Sequence, residues 1–469
     1  MQTRSLQFIA ESSSGRIVNG APVSVTGIST DSRHIRTGNL FVALSGPKFD
    51  AHDFLADVYG KGAAAAVIDE TRTSPLPQGF PCVAVPSTRR ALGEIAAAYR
   101  QQFEISAIAV AGSNGKTSTK ELIAAVLRQK FETLASAASF NNEVGVPLTL
   151  LELEQKHRAA VLEVGTNHPG ELRPLLEMIR PTAGIITSIG REHLEFFGTI
   201  DGVLQEEGTL AEMLPADSFL LVNGDGYGTD ELARRGKGRV IRVGTGGKSD
   251  WRISGVSMSA EGTRFHLSGG EKDFSGEYVT RLLGTHQVVN ATYAVLVGKE
   301  LGLNRAEIQR GLASCGGAKM RLQLKQIDDF LVLDDAYNAN ADSMHAALDT
   351  LQTFPCKGRR IAVLGDMAEL GDSSATAHEE IGRRAATGEI DYLVAVGKNS
   401  RIMASAARGA GLKQVVELPE VEKAGPAVTE IVRPGDVVLV KASRSTRLER
   451  VVDFLAAQFG TSEVRAAGG

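Results

Sequence analysis

Residues 105–118, Ile-Ser-Ala-Ile-Ala-Val-Ala-Gly-Ser-Asn-Gly-Lys-Thr-Ser, leave the chain little freedom of local fold. The apolar, partly β-branched run to Ala111 reads as a buried strand. Beyond it, Leu122, Ile123, Val126 and Leu127 share one helical face. A strand, a turn with two glycines, Lys-Thr and a helix start form the context of a phosphate-binding loop. Gly112 and Gly115 let backbone N–H groups close around phosphate oxygens, and the helix N-terminus adds positive potential. Gly112, Ser113, Asn114, Gly115, Lys116, Thr117 and Ser118 are therefore candidate nucleotide contacts. Lys116 reaches the β- and γ-phosphates, and the Thr117 hydroxyl is placed for Mg²⁺. The motif is a compact GxxGKT, because Val110 stands where the longer form has its first glycine.

A chain of 469 residues points to about three domains. Its formal net charge of −4, with no long basic run, argues against nucleic acid as a partner. Met1–Gly20 lacks the apolar core of a signal peptide and no run is long enough to span a bilayer, so a cytoplasmic protein without membrane insertion is expected. Cys82, Cys315 and Cys356 have no CxxC pairing and read as reduced, small buried hydrophobes.

Ahead of the loop, Gly38-Asn39 is a turn feeding a strand over Leu40–Leu44, and Phe49-Asp50-Ala51-His52 opens a helix ending near Gly60-Lys61-Gly62. Thr30, Asp31, Ser32 and Arg33 crowd polar groups into one loop, which suits either a ligand's polar head or a capped turn. Pro75, Pro77, Pro81 and Pro86 mark a boundary near Val85. A helix over Thr88–Arg100 then leads to the phosphate loop.

Beyond it, Ala159–Leu162 is a strand ending in Glu163, a carboxylate placed to share Mg²⁺ with Thr117. Gly184–Gly190 is another buried strand, delivering His193 just past the edge where the phosphate loop should lie. Residues 240–279 alternate in a β-like pattern, and Gly284-Thr285-His286-Gln287-Val288-Val289-Asn290 precedes a helix that runs to Leu301. From Phe330, strands alternate with helices, with polar residues at the strand ends: Asp334-Asp335-Ala336-Tyr337-Asn338, Gly365-Asp366 and Lys441-Ala442-Ser443-Arg444. That pattern implies a parallel α/β sheet binding ligands at its carboxyl edge. Thr461–Gly469 reads as a frayed tail.

Four stretches carry a resemblance to a known family: Phe140-Asn141-Asn142-Glu143-Val144-Gly145-Val146-Pro147, Glu163-Val164-Gly165-Thr166-Asn167-His168, Tyr337-Asn338-Ala339-Asn340 and Gly365-Asp366-Met367-Ala368-Glu369-Leu370-Gly371. With the phosphate loop they resemble the Mur ligases, the ATP-dependent enzymes of peptidoglycan precursor synthesis, from Thr30 to Val451. Within the family the chain is most similar to members that join D-alanyl-D-alanine to UDP-N-acetylmuramoyl-tripeptide. The Asn-Pro-Arg motif expected of ligases adding the third amino acid does not occur.

The resemblance implies an α/β protein of three domains: a UDP-sugar-binding domain (1–85), a central ATP-binding phosphate-loop domain (86–316) and a C-terminal Rossmann-like domain (317–469). It implies a monomer using ATP and Mg²⁺. Thr30, Asp31, Ser32, Arg33, Ser45 and Gly46 would serve the nucleotide-sugar, and Asn141 and Asn142 the substrate cleft. Asn290, Asp335 and Asn338 would hold adenine and ribose, and Arg321 would approach the γ-phosphate from the hinge. Lys116, His193 and Arg321 are the expected catalytic groups, and Thr117, Glu163, His193 and Glu207 the expected metal ligands.

One departure stands out. Relatives usually carry at position 207 a lysine carbamylated by CO₂, and this chain has Glu207. Ile200, Val203, Leu204, Leu210, Ala211 and Leu214 form an apolar stripe with Glu207 at its centre and Glu206 on its flank. A buried carboxylate supplied by the gene is expected there. A folylpolyglutamate-type ligase and a non-catalytic nucleotide-binding descendant are the alternatives.

Overall fold

The computed structural model describes residues 1–20, 22–72 and 76–462. Pro75 and residues 463–469, on which parts of the sequence reading fall, lie outside that set. The chain divides into two compact units, one of Met1–Val110, Phe131–Thr166 and Gly170–Gly184, the other of Ala111–Lys130, Asn167–Pro169 and Ile185–Gly469.

In the first unit a five-stranded sheet has the order Arg16–Val18, Cys82–Val85, Ala65–Asp69, Leu40–Val42, Ile28–Ser29. Its pairs are parallel except the first. Phe41, Ala66, Ile68, Phe80 and Val58 close one core on it. The strand expected over Leu40–Leu44 stops at Val42, because the chain turns into a small hairpin, Ser45–Gly46 against Phe49–Asp50. The helix expected from Phe49 consequently starts at Leu55, after a 3₁₀ turn capped by the Asp50 side chain. Ser106–Ala111 pairs in parallel with Ala159–Glu163, and that strand with Thr133–Ala135. The Thr88–Arg100 helix forms as expected.

In the second unit, Phe219–Asn223, Arg239–Gly244 and Trp251–Ser259 pair in parallel, and a meander continues antiparallel through Gly262–Ser268 and Gly276–Thr280. The strand expected over Gly184–Gly190 ends at Ile186, since Thr187 and Ser188 turn to bond the phosphate loop. The apolar stripe around Glu207 is carried by two helices, Ile200–Glu207 and Thr209–Met213.

The last region is a parallel sheet of five strands alternating with helices, as the pattern from Phe330 implies. They are β1 (Phe330–Asp335), β2 (Arg360–Leu364), β3 (Tyr392–Val396), β4 (Gln414–Leu418) and β5 (Val437–Lys441), in the order β4-β3-β2-β5-β1. Antiparallel Gln323–Ile327 extends it beside β1. Thr461–Ser462, read as tail, adds an edge strand on Gln326–Ile327, satisfying backbone groups the edge would otherwise leave open. Strand side chains alternate between two cores. Leu333, Ala362, Leu393 and Leu439 meet helices α1 (Ala341–Thr353), α2 (Ser374–Thr387) and α3 (Ser400–Gly409). Val332, Val363, Val394 and Val438 meet α4 (Ala424–Ile431) and α5 (Glu449–Phe459).

Candidate active site

The strand Ser106–Ala111 delivers the loop Gly112–Gly115 to the helix Lys116–Leu127. Gly112 (φ 109°) and Gly115 (φ 88°) sit in backbone conformations that side chains resist. A Cβ on Gly112 would lie 2.5 Å from Thr187 Oγ1, and one on Gly115 would lie 2.8 Å from Asn290 Oδ1. No side chain caps this helix, so its first N–H groups face the loop as anion donors. Ser113 is pinned to Gly190, which donates its N–H to Ser113 Oγ at 2.8 Å, and the Asn114 N–H donates to Ser188 Oγ at 3.0 Å. Lys116 Nζ donates to the Gly112 carbonyl at 2.5 Å and lies 3.6 Å from Glu192 Oε2.

Glu207 is 1% exposed. Its Oε2 accepts the Gly112 N–H at 2.7 Å, while Oε1 is buried without a donor. Burial pushes its carboxyl up to about 8; Lys116 opposes that shift, and Glu192 and Glu206 add to it. Glu206 is also buried, at 8% exposure, and not merely on the flank. His193 takes a left-handed backbone (φ 47°), with Nε2 4.0 Å from Glu192 Oε2 and Nδ1 2.6 Å from Glu369 Oε2, out of line for a hydrogen bond. Among the described residues no three His, Cys, Asp or Glu side chains form a ready-made metal cluster. The donor-free Glu207 oxygen, Glu192 and the buried Thr117 hydroxyl are hard oxygen donors, however. They fit Mg²⁺, which is commonly held by one or two carboxylates together with phosphate and water.

The linker into the last region reaches this loop. Arg321 stands between Met320 (φ 57°) and Leu322 (φ 51°), donates from Nη2 to Thr117 Oγ1 at 3.4 Å, and stacks on Tyr337 with its guanidinium 4.3 Å from the ring centre. Asn340 Nδ2 donates to Asn114 Oδ1 at 3.0 Å. Arg191 binds Asp342 through Nε (2.9 Å) and its backbone N–H (2.7 Å), and Glu380 through Nη1 (2.8 Å) and Nη2 (3.1 Å). That guanidinium holds the Glu380 carboxyl down at about 2. Asp335 accepts from Leu322 N–H at 3.1 Å and pairs with the buried Lys441 at 2.6 Å. Asn338 is exposed, and its carbonyl accepts from Lys441 at 3.0 Å. Asn290, 5% exposed, donates to Gln287 Oε1 at 2.9 Å.

The first unit carries the other predicted residues. Asn141 Nδ2 donates to Glu163 Oε1 at 2.9 Å, and Glu163 Oε2 is buried without a donor. Asn142 Oδ1 is engaged locally, accepting the Gly145 N–H at 2.9 Å. Thr30–Arg33 is a turn in which Asp31 accepts from the Arg33 backbone (2.9 Å) and guanidinium (2.7 Å), which hold its carboxyl well below the usual range. Ser45 Oγ donates to Asp50 Oδ1 at 2.9 Å, and Gly46 lies beside it in the hairpin.

Sequence reading assigned no role to Glu192, Asn340, Glu369 or Lys441. Asn340 and Glu369 lie in stretches that carry the family resemblance, Lys441 ends a strand with polar residues at its carboxyl edge, and Glu192 follows the strand that delivers His193.

Three family models match the chain in order: the Mur ligase family catalytic domain over residues 24–100, the Mur ligase middle domain over 110–298, and the Mur ligase glutamate ligase domain over 320–444. The UDP-N-acetylmuramoyl-tripeptide–D-alanyl-D-alanine ligase of Escherichia coli K12 is 35% identical over 93% of this chain and 95% of its own length. That of Bacillus subtilis 168 is 34% identical over 97% and 99%. A crystal structure of MurF from Acinetobacter baumannii, 32% identical, matches with a TM-score of 0.88 over 97% of this chain and 99% of its own. The MurF ligase of Thermotoga maritima in complex with ADP, 26% identical, gives 0.79 over 92% and 97%. With an α/β fold of three domains and relatives matched along nearly their whole length, this chain belongs to the Mur ligase family.

Proposed function

We propose that the chain is an ATP-dependent amide ligase that joins D-alanyl-D-alanine to UDP-N-acetylmuramoyl-tripeptide in the cytoplasm, releasing ADP and phosphate. The observation that carries the reading is the phosphate loop with Lys116 in it, met by Arg321 on Thr117 from the last region. The relatives' names favour this substrate pair over a folylpolyglutamate. We place the domain boundaries near residues 85 and 316, and take the chain to act as a monomer.

A carboxylate does not condense with an amine in water, because its oxygen is a poor leaving group. Transfer of the γ-phosphoryl of ATP to the tripeptide's terminal carboxylate gives an acyl phosphate. The dipeptide amine then attacks that carbonyl, loses a proton, and phosphate departs. Carboxylate and triphosphate repel each other, and Lys116 and Arg321 supply positive charge against that repulsion. Gly112, Ser113, Asn114, Gly115 and Ser118 cradle the phosphates, while Asn290, Asp335 and Asn338 orient the nucleoside. Thr117, His193 and Glu207 are the proposed Mg²⁺ ligands, and Glu163, with a donor-free oxygen of its own, is proposed as another. The metal supplies charge neutralisation when bound. Thr30–Arg33, Ser45 and Gly46 are assigned to the nucleotide-sugar, and Asn141 and Asn142 to the tripeptide. Burial of the acyl phosphate by the last region excludes water.

Tripeptide substrate labelled with ¹⁸O in its terminal carboxylate tests this route. One labelled oxygen per turnover should appear in the released phosphate. Unlabelled phosphate from an active enzyme refutes the acyl phosphate.

A further inference from the structure

The loops after β1, β2 and β5 are stitched together by one side chain. Ser443, 2% exposed, accepts the Ala368 N–H at 2.8 Å and donates to the Ala339 carbonyl at 3.0 Å. Its own N–H donates to the Asp366 carbonyl at 2.9 Å. This loop cluster reaches the phosphate loop through Asn340 on Asn114, and Glu369 lies beside His193.

Chain direction sets the place of a crevice here. After β1 and β2 the chain passes to α1 and α2 on one face of the sheet, and after β5 it passes to α5 on the other. Since β5 lies between β2 and β1, its carboxyl end is a topological switch point, where open α/β sheets bind ligands.

An open cleft of about 610 Å³ lies there, lined by Arg444, Ser445, Arg447, Glu449 and Arg450. Arg444 pairs with Glu449 Oε1 at 2.9 Å and its Nη1 lies 3.9 Å from the Met320 sulfur, next to Arg321 in sequence. Arg450 pairs with Glu422 at 2.6 Å. Arg447 has no side-chain partner among the described residues, although it sits in a left-handed backbone (φ 54°) that fixes where its side chain starts. Glu449 Oε2 is buried in the same place without a donor.

The cleft therefore offers one uncompensated guanidinium next to one acceptor lacking a donor. A dipeptide's C-terminal half has the complementary pattern, a carboxylate with an amide N–H two bonds from the carboxyl carbon. The geometry points to Arg447 as the residue that holds the C-terminal carboxylate of the incoming dipeptide, making it a specificity determinant of the ligase reading on which this inference rests. Arg444 and Arg450, already neutralised, shape the cleft without adding net charge.

The test crosses the residue with the group it should recognise. A charge-assisted hydrogen bond of this kind corresponds to roughly 10- to 100-fold in affinity. Arg447→Ala should raise the KM for D-alanyl-D-alanine by that factor, with the KM values for ATP and UDP-N-acetylmuramoyl-tripeptide within about twofold of wild type. Arg447→Lys should recover part of the loss. D-Alanyl-D-alaninamide, lacking the carboxylate, should be a poor substrate that wild type and Arg447→Ala use equally. Arg447 is exposed, so an unchanged melting temperature is expected of both variants. Equal losses on acid and amide, or no loss on either, overturn the assignment while leaving the ligase reading intact. A wild type inert towards both dipeptides overturns the ligase reading and this inference with it.

Discussion

Replacing Glu207 with glutamine should change how stability depends on pH, and the structure sets the size of the effect. The carboxyl is fully buried, accepts one N–H from Gly112 and leaves Oε1 without a donor. Burial raises it from 4.5 to about 8. Between those values the folded protein keeps a proton that the unfolded chain releases, so stability falls as pH rises, by about 1.4 kcal/mol per unit. From pH 6 to 7.5 the metal- and nucleotide-free wild type should lose about 2 kcal/mol relative to Glu207→Gln, which keeps the shape and does not titrate. For a cooperative unit of roughly 150–250 residues that is about 4–8 °C in Tm. Scanning fluorimetry of both proteins across this range reads it directly. The gap should open in the variant's favour as pH rises; parallel curves would refute the claim that Glu207 is buried and protonated in the free protein.

Lys116→Ala should abolish ADP formation with little change in Tm, since Lys116 serves the phosphate loop and no apolar core; near-normal turnover by a folded variant contradicts the loop assignment. Arg191→Met leaves Asp342 and Glu380 without their shared cation, and because the network is about one-third exposed it should cost only about 1–2 kcal/mol. Limited proteolysis should then cut the linker 315–322 faster, and unchanged protection would deny Arg191 a docking role. The Glu380 part of that contribution is present above about pH 4.5 and should fade as pH falls towards 2, so the two proteins' melting curves should converge in acid. Because the carboxylate at 207 is encoded, removing bicarbonate and CO₂ should leave activity unchanged; activity rescued by bicarbonate would show that a carbamate is still needed.

The phosphate loop, the five strands of the last sheet and the burial of Glu207 were legible in the sequence, because each rests on a local pattern: a glycine spacing, an apolar run, a helical stripe. What escaped depends on tertiary partners. Nothing local stops the strand before Gly190; it stops at Ile186 because Thr187 and Ser188 bond the loop. Asp31 and Arg33 crowd one loop in the sequence, and that they pair with each other is seen only in the structure. Glu192 is unremarkable in sequence and becomes notable only 3.6 Å from Lys116. The free charge of Arg447 is visible only once Glu449 and Glu422 are seen to neutralise its neighbours.

The central claim is a ligation in which ATP cleavage is coupled to joining two specific substrates. Its most direct test is ADP release measured with ATP and Mg²⁺ while each substrate is supplied alone and then both together. Sustained ADP release, matched one for one by UDP-N-acetylmuramoyl-pentapeptide, should occur only when UDP-N-acetylmuramoyl-tripeptide and D-alanyl-D-alanine are both present. Release that is independent of either substrate, or none with both, would contradict the account.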